Sequence, residues 1–149
     1  MSNALFYIAS SDAAHHPERI ACQAAARAYR TGQGVFLLCQ DQAQAHRIDE
    51  LLWQFEPDSF VPHNLVGEGP RGGAPVVIGW ADRDHAAVEK RPLLINLSAD
   101  VPQFAVQFTH IIDFVPADDE AKAQARRRFA AYRQLGVSPA TQDLARQPF

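Results

Sequence analysis

Ser59 to Trp80 reads SFVPHNLVGEGPRGGAPVVIGW. A short extended run, Ser59 to Leu65, enters a segment built almost wholly of turn residues. The β-branched run Val76-Val77-Ile78, closed by Trp80, leaves it. Gly67, Gly69, Gly72 and Gly73 alternate with Pro70 and Pro75 around the charged pair Glu68 and Arg71. Glycine admits positive φ where a side chain would clash, and proline presets φ near −65°. The mixture describes a loop with a defined path, entered and left by extended chain.

Working outward, apolar runs recur on both sides of this loop. Leu5-Phe6-Tyr7-Ile8-Ala9 and Val35-Phe36-Leu37-Leu38-Cys39 are continuous enough to be strands buried on both faces. Between them, Glu18 to Arg30 is alanine-rich, with Pro17 at a tolerated first-turn position and Gly32 as a stop. Asp41 is placed to cap a second helix whose apolar positions Ala45, Ile48, Leu51, Leu52 and Phe55 follow the 3.6 period until Pro57. Beyond the loop and a charged connection, Asp82 to Lys90, two further strands follow: Leu93 to Leu97 and Ile111 to Val115. Pro102 to Phe108 reads as a short helix. Asp118 to Gln134 is the last helix, acidic at its start and basic toward its end, as the helix dipole prefers. Gly136 stops it, and residues 138–149 read as a C-terminal tail. Alternating strands and helices predict one α/β domain over residues 1–149, a three-layer Rossmann-like fold with a largely parallel central sheet.

The totals narrow the function. A chain of 149 residues, 47% of them apolar, can bury one core. A net charge of −3 argues against a broad phosphate-binding face, which needs a basic surface. Cys22 and Cys39 have no metal-ligand spacing and suit a reducing cytoplasm. No run approaches a membrane span, and Met1 to Ala4 lacks the basic start of a signal peptide.

Gly67-Glu68-Gly69-Pro70-Arg71-Gly72 matches the letters of the dinucleotide fingerprint GxGxxG. That motif works through a helix whose free N–H groups face the pyrophosphate. Here a strand follows, Pro70 lacks an N–H and Glu68 opposes an anion. None of the six histidines falls in an HxH, HxxxH or HExxH arrangement, and His63, between Pro62 and Asn64, reads as a bond to the loop backbone. Ser59 and Ser98 lack an elbow motif, and Cys39 has no cationic neighbour in sequence. The residues give catalysis, a cofactor or a metal no positive support.

The last helix is more informative. Arg126, Phe129, Ala130 and Arg133 lie at i, i+3, i+4 and i+7, with Lys122 and Tyr132 flanking them. Arginine forks pair with carboxylates, and an aromatic surface takes an apolar side chain, so an acidic peptide with an apolar end fits such a stripe. Periodicity alone fits better a charged helix face with Phe129 and Tyr132 turned into the core. A second apolar group, Trp53, Phe55, Phe60, Val61, Pro62 and Leu65, reads either as core or as an interface shaped by the nearby prolines and glycines.

The string SFVPHNLVGEGPRGGAPV, Ser59 to Val76, closely resembles the chi subunit of the bacterial DNA polymerase III clamp-loader assembly. The resemblance runs, more thinly, from Phe6-Tyr7 to Tyr132-Arg133. It implies a non-catalytic adaptor of the replication machinery. On that likeness, the acidic C-terminal tail of single-stranded-DNA-binding protein docks at Val115, Lys122, Arg126, Phe129, Ala130 and Arg133. The psi subunit, which tethers chi to the clamp loader, meets Trp53, Phe60, Val61, Pro62 and Leu65. Phe129 stands where the family pattern has tyrosine, and Ala130 where it has lysine. The competing class is a Rossmann-like nucleotide-binding protein or enzyme. The chain ends Arg146-Gln147-Pro148-Phe149, similar to the Pro-Phe ending of those tails. This leaves open a tail that enters the Arg126/Arg133 pocket of its own or another molecule, against an unstructured end.

Overall fold

The computed structural model describes residues 2–54, 61–68, 74–80 and 91–149. Its strands are β1 (Asn3–Ile8), β2 (Val35–Cys39), β3 (His63–Leu65), β4 (Val76–Trp80), β5 (Leu93–Asn96), β6 (His110–Val115) and β7 (Ser138–Asp143). Its α-helices are α1 (Pro17–Arg30), α2 (Gln42–Gln54) and α3 (Asp119–Gln134), with 3₁₀ turns at Ala13–His15 and Gln103–Gln107. One sheet holds all seven strands in the order β3-β4-β2-β5-β6-β1-β7, and every pairing is parallel. This is the expected Rossmann-like α/β architecture.

Each apolar run becomes a strand buried on both sides because its alternate residues enter different cores. Val35, Leu37 and Cys39 of β2 join Ile20, Ala24 and Ala28 of α1 and Ile48 and Leu52 of α2 on one face. Phe36 and Leu38 join Phe6, Phe108 and Tyr132 on the other, under α3 and the second 3₁₀ turn. The connections β1→β2 and β2→β3, running toward β3, carry α1 and α2, and β6→β7, running the other way, carries α3, as right-handed crossovers require. Asp41 caps α2 by accepting from Gln44 N–H at 2.8 Å. Gly32 and Gly136 end α1 and α3 at φ +81° and +82°, where a Cβ would be strained. Gly79 serves packing instead: a Cβ there would lie 2.6 Å from the buried Phe36 ring.

One segment differs from expectation. Residues 138–143, read as the start of a tail, form β7 and pair with β1 from Asn3↔Ser138 to Ile8↔Asp143. The sequence SPATQD carries no apolar alternation because this edge strand is largely exposed. Phe55, Pro57, Phe60, most of the glycine-rich loop and the connection 82–90 lie outside the described residues.

Candidate functional site

α3 starts at Asp118, whose carboxylate accepts from the N–H groups of Glu120 and Ala121, each at 3.2 Å. That cap fixes the helix over β1 and β6. Parallel register places Phe6 beside Thr141 on one flank and Asp113 on the other, and Ile8 beside Val115. Alternation then turns Phe6, Ile8, Val115 and Thr141 to the α3 face. Together with Lys122, Ala125, Arg126 and Phe129 they enclose a recess of about 320 Å³. Phe129 is half-buried, its ring 5.4 Å from that of Phe6. The Arg133 guanidinium lies 5.2 Å from the Phe129 ring centroid, a cation–π contact. Arg126 and Arg133 are both exposed. The result is an open apolar notch rimmed by cations, suited to an apolar side chain that carries a carboxylate.

Between α3 and β6 lies a buried polar network that the sequence reading did not find. Asp113, wholly buried in β6, accepts from Arg128 Nε at 3.1 Å, Tyr132 Oη–H at 2.7 Å and Phe114 N–H at 2.6 Å. Arg128 Nη2 donates to Phe114 O at 2.9 Å, and Asn96 Nδ2 to Tyr132 Oη at 3.1 Å. Burial raises the Asp113 carboxyl to about 6, against the opposing pull of the Arg128 charge and the bonds it accepts. Burial also raises the Tyr132 hydroxyl, with the Asp113 charge adding to it. These bonds tie α3, which carries Lys122, Arg126 and Phe129, to β6, which carries Val115. Only an acidic residue inside an otherwise apolar strand run signalled them.

A sequence model of the family described as "DNA polymerase III chi subunit, HolC" matches residues 1–140. The chain is 44% identical over 142 residues to the DNA polymerase III subunit chi of Escherichia coli (strain K12), covering 93% of this chain and 95% of that one. To the Haemophilus influenzae subunit chi it is 43% identical over 141 residues, covering 95% and 96%. The chain belongs to the chi-subunit family of DNA polymerase III. The Pseudomonas aeruginosa subunit chi is 33% identical over 136 residues, covering 91% and 92%. Among solved structures, T4 UvsW superimposes with a TM-score of 0.57 at 9% identity, over 96% of this chain and 41% of that one. That likeness shows the fold alone.

In this chi-family chain the notch brings together Val115, Lys122, Arg126 and Phe129, with Arg133 stacked beside them. Ala130 is exposed on the same helix but does not line the notch. Tyr132 is fully buried in the network rather than flanking the stripe. Arg127 faces a different recess, with Ala99, Asp100, Val101 and Ala131, so it does not replace the charge missing at Ala130. The floor residues Phe6, Ile8 and Thr141 had no local signal, because the register of distant parallel strands is not written in any one segment.

The second apolar group divides. Trp53 is 57% exposed, and Pro62 is half-buried. Val61 and Leu65 belong to the core, packed with Ile48 and Leu52, so they support the face from beneath rather than line it. Phe60 lies outside the described residues. His63 packs its ring 4.9 Å from Trp53, with Nδ1 2.7 Å from Val61 O and Nε2 3.1 Å from Asp49 Oδ1. The loop-bonding reading of this histidine therefore holds, with a carboxylate added.

The C-terminal phenylalanine does not reach the notch. Phe149 lies on the opposite face of the sheet, its ring 5.3 Å from Tyr7 and the Arg27 guanidinium 3.7 Å from its centroid. A larger crevice, about 380 Å³, opens at the carboxyl ends of β2, β5 and β6, lined by His16, Glu18, Gln40, Asn96 and Asp118 among others. Ligands of open α/β sheets bind at such an edge. Here both helix starts facing it are capped by side chains: His16 Nδ1 accepts from Glu18 N–H, and Asp118 caps α3. With Glu18, Asp119 and Glu120 in the first turns, this crevice opposes a polyphosphate. Cys39 beside it is buried, and burial raises its thiol, so it is no poised nucleophile.

Proposed function

We propose that this chain is a non-catalytic adaptor of the replication machinery, working in the cytoplasm. Its α3 notch binds the acidic C-terminal tail of single-stranded-DNA-binding protein, and its Trp53 face meets the psi subunit of the clamp loader. The observation that carries the reading is the notch itself: Phe129 open to solvent between Arg126, Arg133 and Lys122, over an apolar floor. A terminal apolar side chain fills the recess while the carboxylate and preceding acidic residues meet the guanidinium and ammonium groups. Nucleic acid is reached through the protein that coats it, which the net charge of −3 also favours. A short tail contact binds weakly alone, but tethering to the loader raises its effective concentration.

The test is a titration with a peptide of acidic residues ending in Pro-Phe, beside ATP and NAD. Binding should weaken with salt, and Arg126→Ala should weaken it by about tenfold, the loss of one charge-assisted contact of roughly 1.5 kcal/mol. Nucleotide binding without peptide binding would instead favour an enzyme or nucleotide carrier.

A further inference from the structure

Arginines stand on both flanks of α3, and the notch uses only one flank. Lys122, Ala125, Arg126 and Phe129 turn to the notch. Gln124, Arg127, Arg128 and Ala131 turn to the other flank, where a recess of about 250 Å³ opens against Ala99, Asp100 and Val101. Ala130 lies on the crest between the two and is exposed. Its neighbours three and four residues away on the helix surface are Arg126, Arg127, Arg133 and Gln134, all of them exposed. Arg128 is committed to Asp113 and to Ala99 O, and Arg133 stands by the Phe129 ring. Arg127 makes no ion pair among the described residues. From residue 121 to residue 142 the sequence holds five cations and no acid, whereas Asp118, Asp119 and Glu120 crowd the start of the helix.

We propose that an acidic peptide whose apolar end fills the notch straddles α3, its acidic residues crossing the crest at Ala130 to meet Arg127 on the far flank. The inference rests on the tail-binding function proposed for the notch and adds the course of the peptide beyond it. Toward the start of α3 such a peptide meets Asp119 and Glu120, which repel it. Across Ala130 it passes between guanidinium groups, and the small methyl leaves room for an extended backbone. Extended chain advances about 3.3 Å per residue, and a helix with its side chains is about 10 Å wide, so three or four residues make the crossing. Arg127 therefore meets the acidic run and not the terminal side chain, which sets its effect apart from that of Arg126. Asp100, exposed beside the recess, opposes an acid placed deep within it, so the contact is made at the outer side of Arg127.

Two labelled peptides ending in Pro-Phe are titrated into the full chain at low salt. One carries a run of aspartates before that end, and the other carries glycine and serine there. Arg127→Ala should weaken the acidic peptide by about threefold to fivefold, the factor for one exposed ion pair, and leave the neutral peptide unchanged. Arg126→Ala should weaken both, and Asp100→Asn should strengthen the acidic peptide alone. A charge exchange locates the contact: Arg127→Glu should weaken the acidic peptide further, and a lysine placed about four residues before its end should recover the loss. An Arg127→Ala chain that binds the acidic peptide as the parent does overturns the proposal while the notch stands, and so does an equal loss for both peptides. If neither peptide binds the parent chain, the notch assignment fails and the proposal falls with it.

Discussion

Phe129 meets Phe6 on one side and the Arg133 guanidinium on the other, and it keeps one flank open. Ala130, next to it, is exposed and uncharged. Ala130→Lys should therefore strengthen binding of an acidic tail peptide by up to about 1 kcal/mol, and the gain should fade at high salt. Calorimetry at two ionic strengths checks it; a salt-independent gain would place the effect elsewhere. Trp53 depends on its neighbour in a similar way. His63 sets Nδ1 against the Val61 carbonyl and Nε2 near Asp49 while its ring packs on the indole. His63→Ala should lower stability by about 1–3 kcal/mol through the lost bonds and shift the Trp53 fluorescence, both read in one urea titration.

At the scale of the element, the bond between α3 and β6 has a pH signature. The folded Asp113 carboxyl titrates at about 6 against an ordinary 3.8. The folded state therefore holds this proton more tightly than the unfolded one. The stability it contributes is full below the ordinary value and is lost as pH rises through about 6. Asp113→Asn, which cannot ionise, should flatten the dependence of the urea midpoint on pH between those limits; an unchanged slope would assign it to other groups. Gly79 tests the opposite face of packing. Gly79→Ala drives a methyl group into Phe36 and should cost about 1–3 kcal/mol. Elements themselves were legible where burial was two-sided: the five long apolar runs became β1, β2, β4, β5 and β6. β7 was not, because an exposed edge strand needs no apolar residues. The stripe on α3 followed from helical period, but its floor depended on pairing between strands a hundred residues apart. Val61 and Leu65 read either as core or as an interface beside the glycines and prolines, and their side chains enter the core.

Across the whole molecule, the notch and the Trp53 face lie toward opposite ends of the sheet. β3, next to α2 and Trp53, is one edge, and β7, beside the notch, is the other. Six strand spacings separate these edges by about 29 Å. The proposed adaptor role calls for two such separate surfaces. Trp53→Ala should weaken psi binding while leaving tail-peptide affinity within about 0.5 kcal/mol of the parent, as expected for distant independent sites. Surface plasmon resonance with each partner in turn separates the two effects.

β1 has its neighbours in β6 and β7, both contributed by the closing third of the chain. As the polypeptide emerges from the ribosome, its first strand must wait, unpaired, for partners still unmade. The α3 notch draws Phe6, Arg126 and Thr141 from three distant parts of the chain, so it is complete only once β7 has paired with β1.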